Sequence, residues 1–197
     1  MTAKFMQICE DCTLTELMFR DMTRRERYDA KKNVPRLPVD IACINFGKEP
    51  NILFSYRLAA CYGASNIHVI GNSDFGMRET RSRPGTTYDL TNVITHKSPQ
   101  DFIEHCKNEN IKMVALELPE DESIKTQKLH NYEFDLNSRC VIIGGHETTG
   151  CDMQILRASD VVHIETLGPA YCLNVTQALN TALYEYTRQH QLHNSSL

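Results

Sequence analysis

Short apolar runs alternate along this chain with stretches whose apolar residues recur at helical spacing. Val39-Asp-Ile-Ala-Cys-Ile44, Ile67-His-Val-Ile70, Lys112-Met-Val-Ala-Leu-Glu117, Cys140-Val-Ile-Ile143 and residues 161–165 are short, mainly apolar runs, which predicts strands. Between them the spacing predicts helices from Asn51 to about Tyr62, from Pro99 to Asn108, over Met153–Ala158 and from Leu173 to about His190, with a short one near Ser123–Leu129. Pro119-Glu-Asp reads as a turn, and residues 191–197 as a polar tail. Strands that alternate with helices in this way predict an α/β layer around a largely parallel sheet. The interval 71–92, rich in Gly, Arg, Ser and Thr, exceeds the usual connection of about 4–6 residues and marks a functional or mobile segment.

The first 36 residues read differently. Leu14, Leu17, Met18, Met22 and Tyr28 stand at loosely helical spacing, with Thr13 or Thr15 as candidate caps, and Pro35 and Pro38 end the element. This predicts two parts: a basic helical N-terminal extension over 1–36 and a main domain over 37–197. The net charge of −4 argues against a uniformly basic surface, yet it conceals a segregation. Residues 20–36 hold seven basic side chains (Arg20, Arg24, Arg25, Arg27, Lys31, Lys32, Arg36) against three acidic ones, and residues 78–83 hold Arg78, Arg81 and Arg83 against Glu79. The remainder carries −10, so local patches can grip phosphates while the body repels them. A solvated helix face explains residues 20–32 equally well.

No run reaches the roughly 20 apolar residues of a membrane span, and the N-terminus has neither the basic start nor the apolar stretch of a signal peptide. A soluble, intracellular and cytoplasmic protein with reduced thiols is the expectation. Of eight cysteines, Cys43, Cys61, Cys140 and Cys172 lie in or beside apolar patterns and are expected to pack as small hydrophobes. Cys9-x-x-Cys12 is the one paired spacing, and without a second Cys/His pair no metal is expected.

Three segments carry the chemistry. Gly145-His-Glu-Thr-Thr-Gly150 follows the strand at 140–143, Asn51-Ile-Leu-Phe-Ser-Tyr-Arg57 leads to Gly63, and Ile164-Glu-Thr-Leu-Gly-Pro-Ala-Tyr-Cys-Leu-Asn-Val175 joins a strand to the last helix. The backbone polar groups of that last loop stay unpaired unless a ligand or neighbouring segment takes them, and an Asn at a helix start can cap it. A dinucleotide fold would need Gly-x-Gly-x-x-Gly after the first strand, and a P-loop would need Lys-Ser/Thr; the chain supplies neither.

In this order the segments resemble the motifs of the SpoU (TrmH-like) branch of the SPOUT RNA methyltransferases. Asn51, Arg57 and Gly63 match Asn-x5-Arg-x5-Gly; Gly145, Glu147 and Gly150 match Gly-x-Glu-x-x-Gly; Ile164, Gly168, Leu173, Asn174 and Val175 match Ile-x3-Gly-x4-Leu-Asn-Val. The resemblance covers about residues 37–197. It implies a parallel-sheet SPOUT fold with a deep C-terminal trefoil knot, a homodimer, S-adenosylmethionine as cofactor, and 2′-O-methylation of a ribose in tRNA or rRNA. It further implies catalytic roles for Asn51, Arg57, Glu147 and Asn174, and a cofactor pocket lined by Leu116, Gly145, Ile164 and Leu173. Arg57 suits the chemistry because a guanidinium grips phosphate bidentately and stabilises developing alkoxide. Glu147 is expected to fix its loop or to pair with Arg57. Glu165, Cys172 and His146 depart from the family's usual Pro, Ser and Ser, and they motivate an alternative: a catalytically altered RNA-binding member of the same fold.

Overall fold

The computed structural model describes residues 22, 23, 25, 26, 29, 30, 34–71, 91–170 and 172–194, apart from the Glu49 side chain. By backbone contact the chain divides into two units, 1–35 and 36–197. In the first, Thr23 and Glu26 cap a helical turn reciprocally: the Thr23 amide donates to Glu26 Oε2 (2.8 Å) and the Glu26 amide to Thr23 Oγ1 (3.3 Å). Thr13, Thr15 and the apolar positions Leu14, Leu17, Met18 and Tyr28 lie outside the described residues, as do Arg78, Arg81, Arg83, Cys9 and Cys12.

Among the described residues the second unit is built on seven parallel strands: β1 (Val39–Ile44), β2 (Asn66–Ile70), β3 (Asn92–His96), β4 (Lys112–Leu116), β5 (Thr126–Lys128), β6 (Cys140–Gly144) and β7 (Asp160–His163). Their order across the sheet is β3-β2-β1-β6-β4-β7-β5. Among the described residues, α1 (Glu49–Tyr62), α2 (Pro99–Asn108) and α3 (Met153–Ala158) lie between strands, and α4 (Val175–Asn194) follows the last of them. Successive side chains of a strand face opposite ways, and each face here has its own core. Val39, Ile41, Cys43 and Ile142 join Leu179, Leu183 and Tyr186 of α4 on one face; Ala42, Ile44, Val141 and Ile143 join Phe102 of α2 and Ile155 of α3 on the other. The centre strands are therefore apolar on both sides, as a covered parallel sheet requires. Each fully buried Ile or Leu contributes about 1.5–3 kcal/mol.

Local chemistry sets the helix ends. Ser98 Oγ caps α2 by accepting from the Asp101 amide, Asp152 caps α3 through the Gln154 amide, and Gly63 closes α1 at φ 69°, a left-handed conformation suited to glycine. α1 begins two residues before Asn51, with Pro50 in its first turn. α4 begins at Val175, so Leu173 and Asn174 precede the helix that the sequence pattern places them in.

Two elements differ from expectation. Residues 126–128 are a strand rather than a helix, because they complete the sheet edge against β7, where Thr126 Oγ1 also bonds His163 Nδ1 at 2.6 Å; only Leu129–Asn131 turns helically, as a single 3-10 turn. β3, absent from the sequence reading, pairs with β2 at the opposite edge through the β-branched run Val93-Ile-Thr95. Cys61 and Cys172 are exposed, unlike Cys43 and Cys140, which pack as expected among buried apolar side chains. Among the described residues no helix is long and apolar enough to cross a membrane.

The sheet also buries a polar chain. Asp40, fully enclosed in β1, accepts from Asn66 Nδ2 (2.9 Å), His68 Nε2 (3.2 Å) and Arg139 Nε (3.0 Å). Burial alone would raise its pKa, but hydrogen bonds from His68 and Asn66 and the Arg139 charge outweigh burial and lower it. His96 is held neutral, its pKa lowered to about 4, first by burial and then by the neighbouring histidines. The unfolded chain, with an ordinary His96 near 6.5, binds a proton that the folded chain refuses between those values, so stability is lost as pH falls from about 6.5 to about 4. Urea unfolding midpoints measured in chelator should decline steadily across that interval; a midpoint flat down to pH 4 would contradict the assignment.

Candidate active site

The loops after β1, β6 and β7 meet at the carboxyl ends of the strands, where open α/β sheets place their ligands. Gly145 forces the loop after β6 into a tight return. His146 and Gly150 pair through two backbone hydrogen bonds (3.0 and 2.9 Å), and a Cβ on Gly145 would stand 2.4 Å from the Gly150 carbonyl carbon. Glu117, just past β4, holds the same loop by accepting from the Cys151 amide at 2.9 Å. The return aims Glu147 at the start of α1. Its carboxylate accepts from the amides of Gly47 (2.9 Å) and Lys48 (3.2 Å) and from Asn51 Nδ2 (2.5 Å). Lys48 offers α1 no side-chain cap, so Glu147 supplies the acceptors and the negative charge that a helix N-terminus favours. Burial pushes the Glu147 pKa up, but those donors more than offset it, and the pKa is lowered.

Asn51 is buried and passes the network on: its Oδ1 accepts from Asn174 Nδ2 at 3.1 Å. Asn174 Oδ1 in turn accepts from the Thr176 amide (2.9 Å) and hydroxyl (2.7 Å), capping α4. One polar chain, Glu147–Asn51–Asn174–Thr176, thus links three segments far apart in sequence. Asn51 is not itself a helix cap; it lies inside the first turn of α1 and serves as the bridge.

Arg57 stands apart. It is exposed on α1, and the six residues separating it from Asn51 turn the helix by about 240°, leaving the two side chains on different faces, about 120° apart. Among the described residues it has no hydrogen-bond or ion-pair partner, and the Glu147 oxygens are occupied by Gly47, Lys48 and Asn51 rather than by Arg57. His146 closes its own turn: Nδ1 accepts from the amides of Thr148 (3.1 Å) and Thr149 (3.2 Å). Sequence reasoning set residues 116–118 beside the pocket but missed the tether that Glu117 provides and the Gly47–Lys48 amides, whose contribution is a matter of loop position rather than residue type.

The expected cofactor residues converge on the same edge. Leu116 ends β4 in register with Gly144 on one side and with Val162 on the other. Gly145 is the next residue after Gly144, and Ile164 is the first past β7. α4 packs directly on Gly144, where a Cβ would meet Val175 Cγ2 at 2.8 Å, and Leu173 lies two residues before Val175. The connecting stretch Thr166–Ala170 is exposed, and among the described residues its backbone makes no hydrogen bond. Glu165, at one side of this stretch, pairs with Lys128 of β5.

Residues 38–184 match the SpoU rRNA Methylase family, three quarters of the chain. The chain belongs to that family. This SpoU-family protein is similar to the tRNA (guanosine(18)-2'-O)-methyltransferase of Escherichia coli K12, 27% identical over 145 residues, which cover 73% of the chain and 60% of the relative. It therefore spans about 60% of the length of the curated relatives it matches. Two solved structures show the same fold. The TrmH/SpoU tRNA modifying enzyme of A. aeolicus superposes with a TM-score of 0.69 at 18% identity, covering 88% of this chain and 87% of that one. An AdoMet-bound rRNA methyltransferase from Sinorhizobium meliloti gives 0.67 at 20% identity, covering 80% and 59%.

Proposed function

We propose that this SpoU-family protein is an S-adenosylmethionine-dependent methyltransferase acting on a ribose 2′-hydroxyl of tRNA or rRNA, and that it works as a homodimer in the cytoplasm. The observation that carries the reading is the Glu147–Asn51–Asn174 chain, which joins all three motif segments beside an open, unpaired loop. Family membership and the tRNA 2'-O-methyltransferase relatives support it.

The bound cofactor would supply an electrophilic methyl, which passes to the ribose oxygen with release of S-adenosylhomocysteine and a proton. Leu116, Gly145, Ile164 and Leu173 would hold it, largely through the free backbone of Thr166–Ala170. The protein's own work is positioning and electrostatics. Glu147 locks the start of α1 to the loop after β6, and Asn51 and Asn174 fix where that loop meets α4. Arg57 orients the phosphate beside the reacting ribose and stabilises its alkoxide.

Its position argues that it does so in trans. Arg57 faces away from its own chain's Asn51, and Phe54 and Cys61, at i−3 and i+4 from it, leave an exposed apolar stripe on the same side of α1. A second protomer covering that stripe would bring each Arg57 towards its partner's loop. The threading of α4 as a trefoil knot and the basic helical extension belong to this proposal too.

Calorimetry with S-adenosylhomocysteine should give one site per chain, and labelled cofactor with total RNA should label RNA in the 2′-O position. Leu173→Trp should block binding while the circular dichroism spectrum stays unchanged. Absence of heat at millimolar ligand, with a folded protein, would refute the cofactor assignment. Cofactor binding without transfer to any RNA would instead favour the catalytically altered RNA-binding reading, for which Glu165, Cys172 and His146 are the changed residues.

A further inference from the structure

Three histidines, none of them a motif residue, meet on the α2 face of the sheet. His68 comes from β2, His96 from the end of β3 and His105 from α2. Their ring centroids form a nearly equilateral triangle with sides of 5.2, 5.3 and 5.1 Å, and one ring nitrogen of each lies within 4.8 Å of the other two. His68 and His96 are buried, and Phe102 closes one side at 5.5 and 5.2 Å from their rings. His105 Nε2 is enclosed and has no hydrogen-bond partner. An enclosed ring nitrogen without a partner is costly and calls for a ligand.

We propose that His68, His96 and His105 form a three-imidazole site for a divalent transition-metal ion, zinc(II) by its chemistry, which ties the edge strand β3 and helix α2 to the sheet. Imidazole nitrogens suit zinc, and three of them with one water complete its tetrahedron. The second layer around the site fits as well. A ligating histidine ordinarily donates its other ring N–H to a carboxylate, and His68, with Nδ1 towards His96 at 2.9 Å, directs Nε2 at Asp40 at 3.2 Å. Arg139 holds that carboxylate in place through Nη2 at 2.8 Å. Zinc–nitrogen bonds of about 2.0–2.1 Å set ligand nitrogens about 3.3–3.4 Å apart in a tetrahedron. The His68–His96 pair therefore opens by about half an ångström, and His105 closes by at most about 1.5 Å, a movement within reach of ring rotation on α2. Burial and mutual proximity keep His96 and His105 neutral, and neutral imidazole is the form that binds metal. The inference is independent of the methyl-transfer reading, since none of these residues belongs to it.

The test uses the full chain stripped with chelator and then titrated with zinc chloride or cobalt chloride. One equivalent should bind, cobalt(II) should develop the visible band of a tetrahedral nitrogen site, and zinc at a hundredfold excess over Kd should raise Tm by about 5–10 °C. His105→Phe, which fills the same space without a ligand atom, should lose all three responses. His105→Gln serves if the Phe variant does not fold. The Cys9→Ser/Cys12→Ser double variant should keep all three responses. Failure to bind at one equivalent overturns the site. So does binding that survives both His105→Phe and His96→Gln, or a thiolate-to-cobalt band that disappears with the cysteines. Should His105→Phe stabilise the chain to the same degree with and without metal, the cluster is a hydrogen-bonded core network and the proposal fails.

Discussion

Arg57→Ala is expected to remove methyl transfer almost entirely while the affinity for S-adenosylhomocysteine stays near that of the unaltered protein. Deleting a preorganised transition-state donor lowers turnover by about 10²–10³-fold. The cofactor should not sense the change, because Arg57 lies on a different face of α1 from the Asn51–Glu147–Asn174 chain. The deficit should appear in turnover more than in RNA affinity. Arg57→Lys should be poor as well, since an ammonium cannot reproduce a bidentate fork. His146→Ala should be milder, because its Nδ1 only closes its own turn. The trans arrangement has a sharper consequence. Mixing two inactive proteins, Arg57→Ala and Leu173→Trp, should restore activity, since the heterodimer contains one site with an intact loop from one chain and an intact arginine from the other. If Arg57 works in its own chain's site, no mixture recovers. If His146→Ala abolishes transfer while Arg57→Ala keeps most of it, the assignment of roles is wrong.

The parallel sheet was readable because its centre is chemically monotonous. β1, β6 and β4 are covered on both faces, so apart from Asp40 and the exposed Lys112 their sequences are apolar runs that leave little alternative. The edges were harder. β3 mixes exposed and half-buried positions and merges into a polar interval, and β5 is a strand of three residues defined by its partner rather than by its own composition. The site divides along a similar line. Asn51, Glu147 and Asn174 could be singled out as residues, and a cap at Asn174 could be foreseen from its place before a helical run. Their hydrogen bonds to each other could not, because separations of 96 and 123 residues leave no local trace. Residues 116–118 could be set beside the pocket, but not the bond that Glu117 makes: its carboxylate matters because β4 and β6 are neighbours, which brings the Cys151 amide to it. The histidine triangle gave no signal at all, since its spacing resembles no linear metal motif and exists only through sheet register and one helix.

Gly145→Ala should be the most damaging single-methyl change at this edge of the sheet, and Gly168→Ala among the least. At Gly145 the added carbon would lie 2.4 Å from the Gly150 carbonyl carbon and 2.5 Å from the Cys151 nitrogen, both main-chain atoms that no rotamer change can move. Relief requires opening the loop against the two bonds between His146 and Gly150 and the one from the Cys151 amide to Glu117, besides the Thr148 and Thr149 amides on His146 Nδ1. Each is worth about 1 kcal/mol net, and forced overpacking costs about 1–3 kcal/mol, so a loss of about 2–4 kcal/mol is expected. In a chain of this size that lowers Tm by about 5–15 °C. The functional loss should exceed the loss of stability, because an opened loop also carries Glu147 away from Gly47, Lys48 and Asn51 and so loosens the seat of Asn174. S-adenosylhomocysteine affinity should fall by at least tenfold, as read by calorimetry below the new Tm. Gly168 is the opposite case: nothing lies within 4 Å of where its added methyl would sit, so its replacement should change stability by less than about 0.5 kcal/mol. A Gly145→Ala protein with unaltered Tm and cofactor affinity would mean that the return after β6 yields freely. The polar chain through Glu147 would then not be what organises the site.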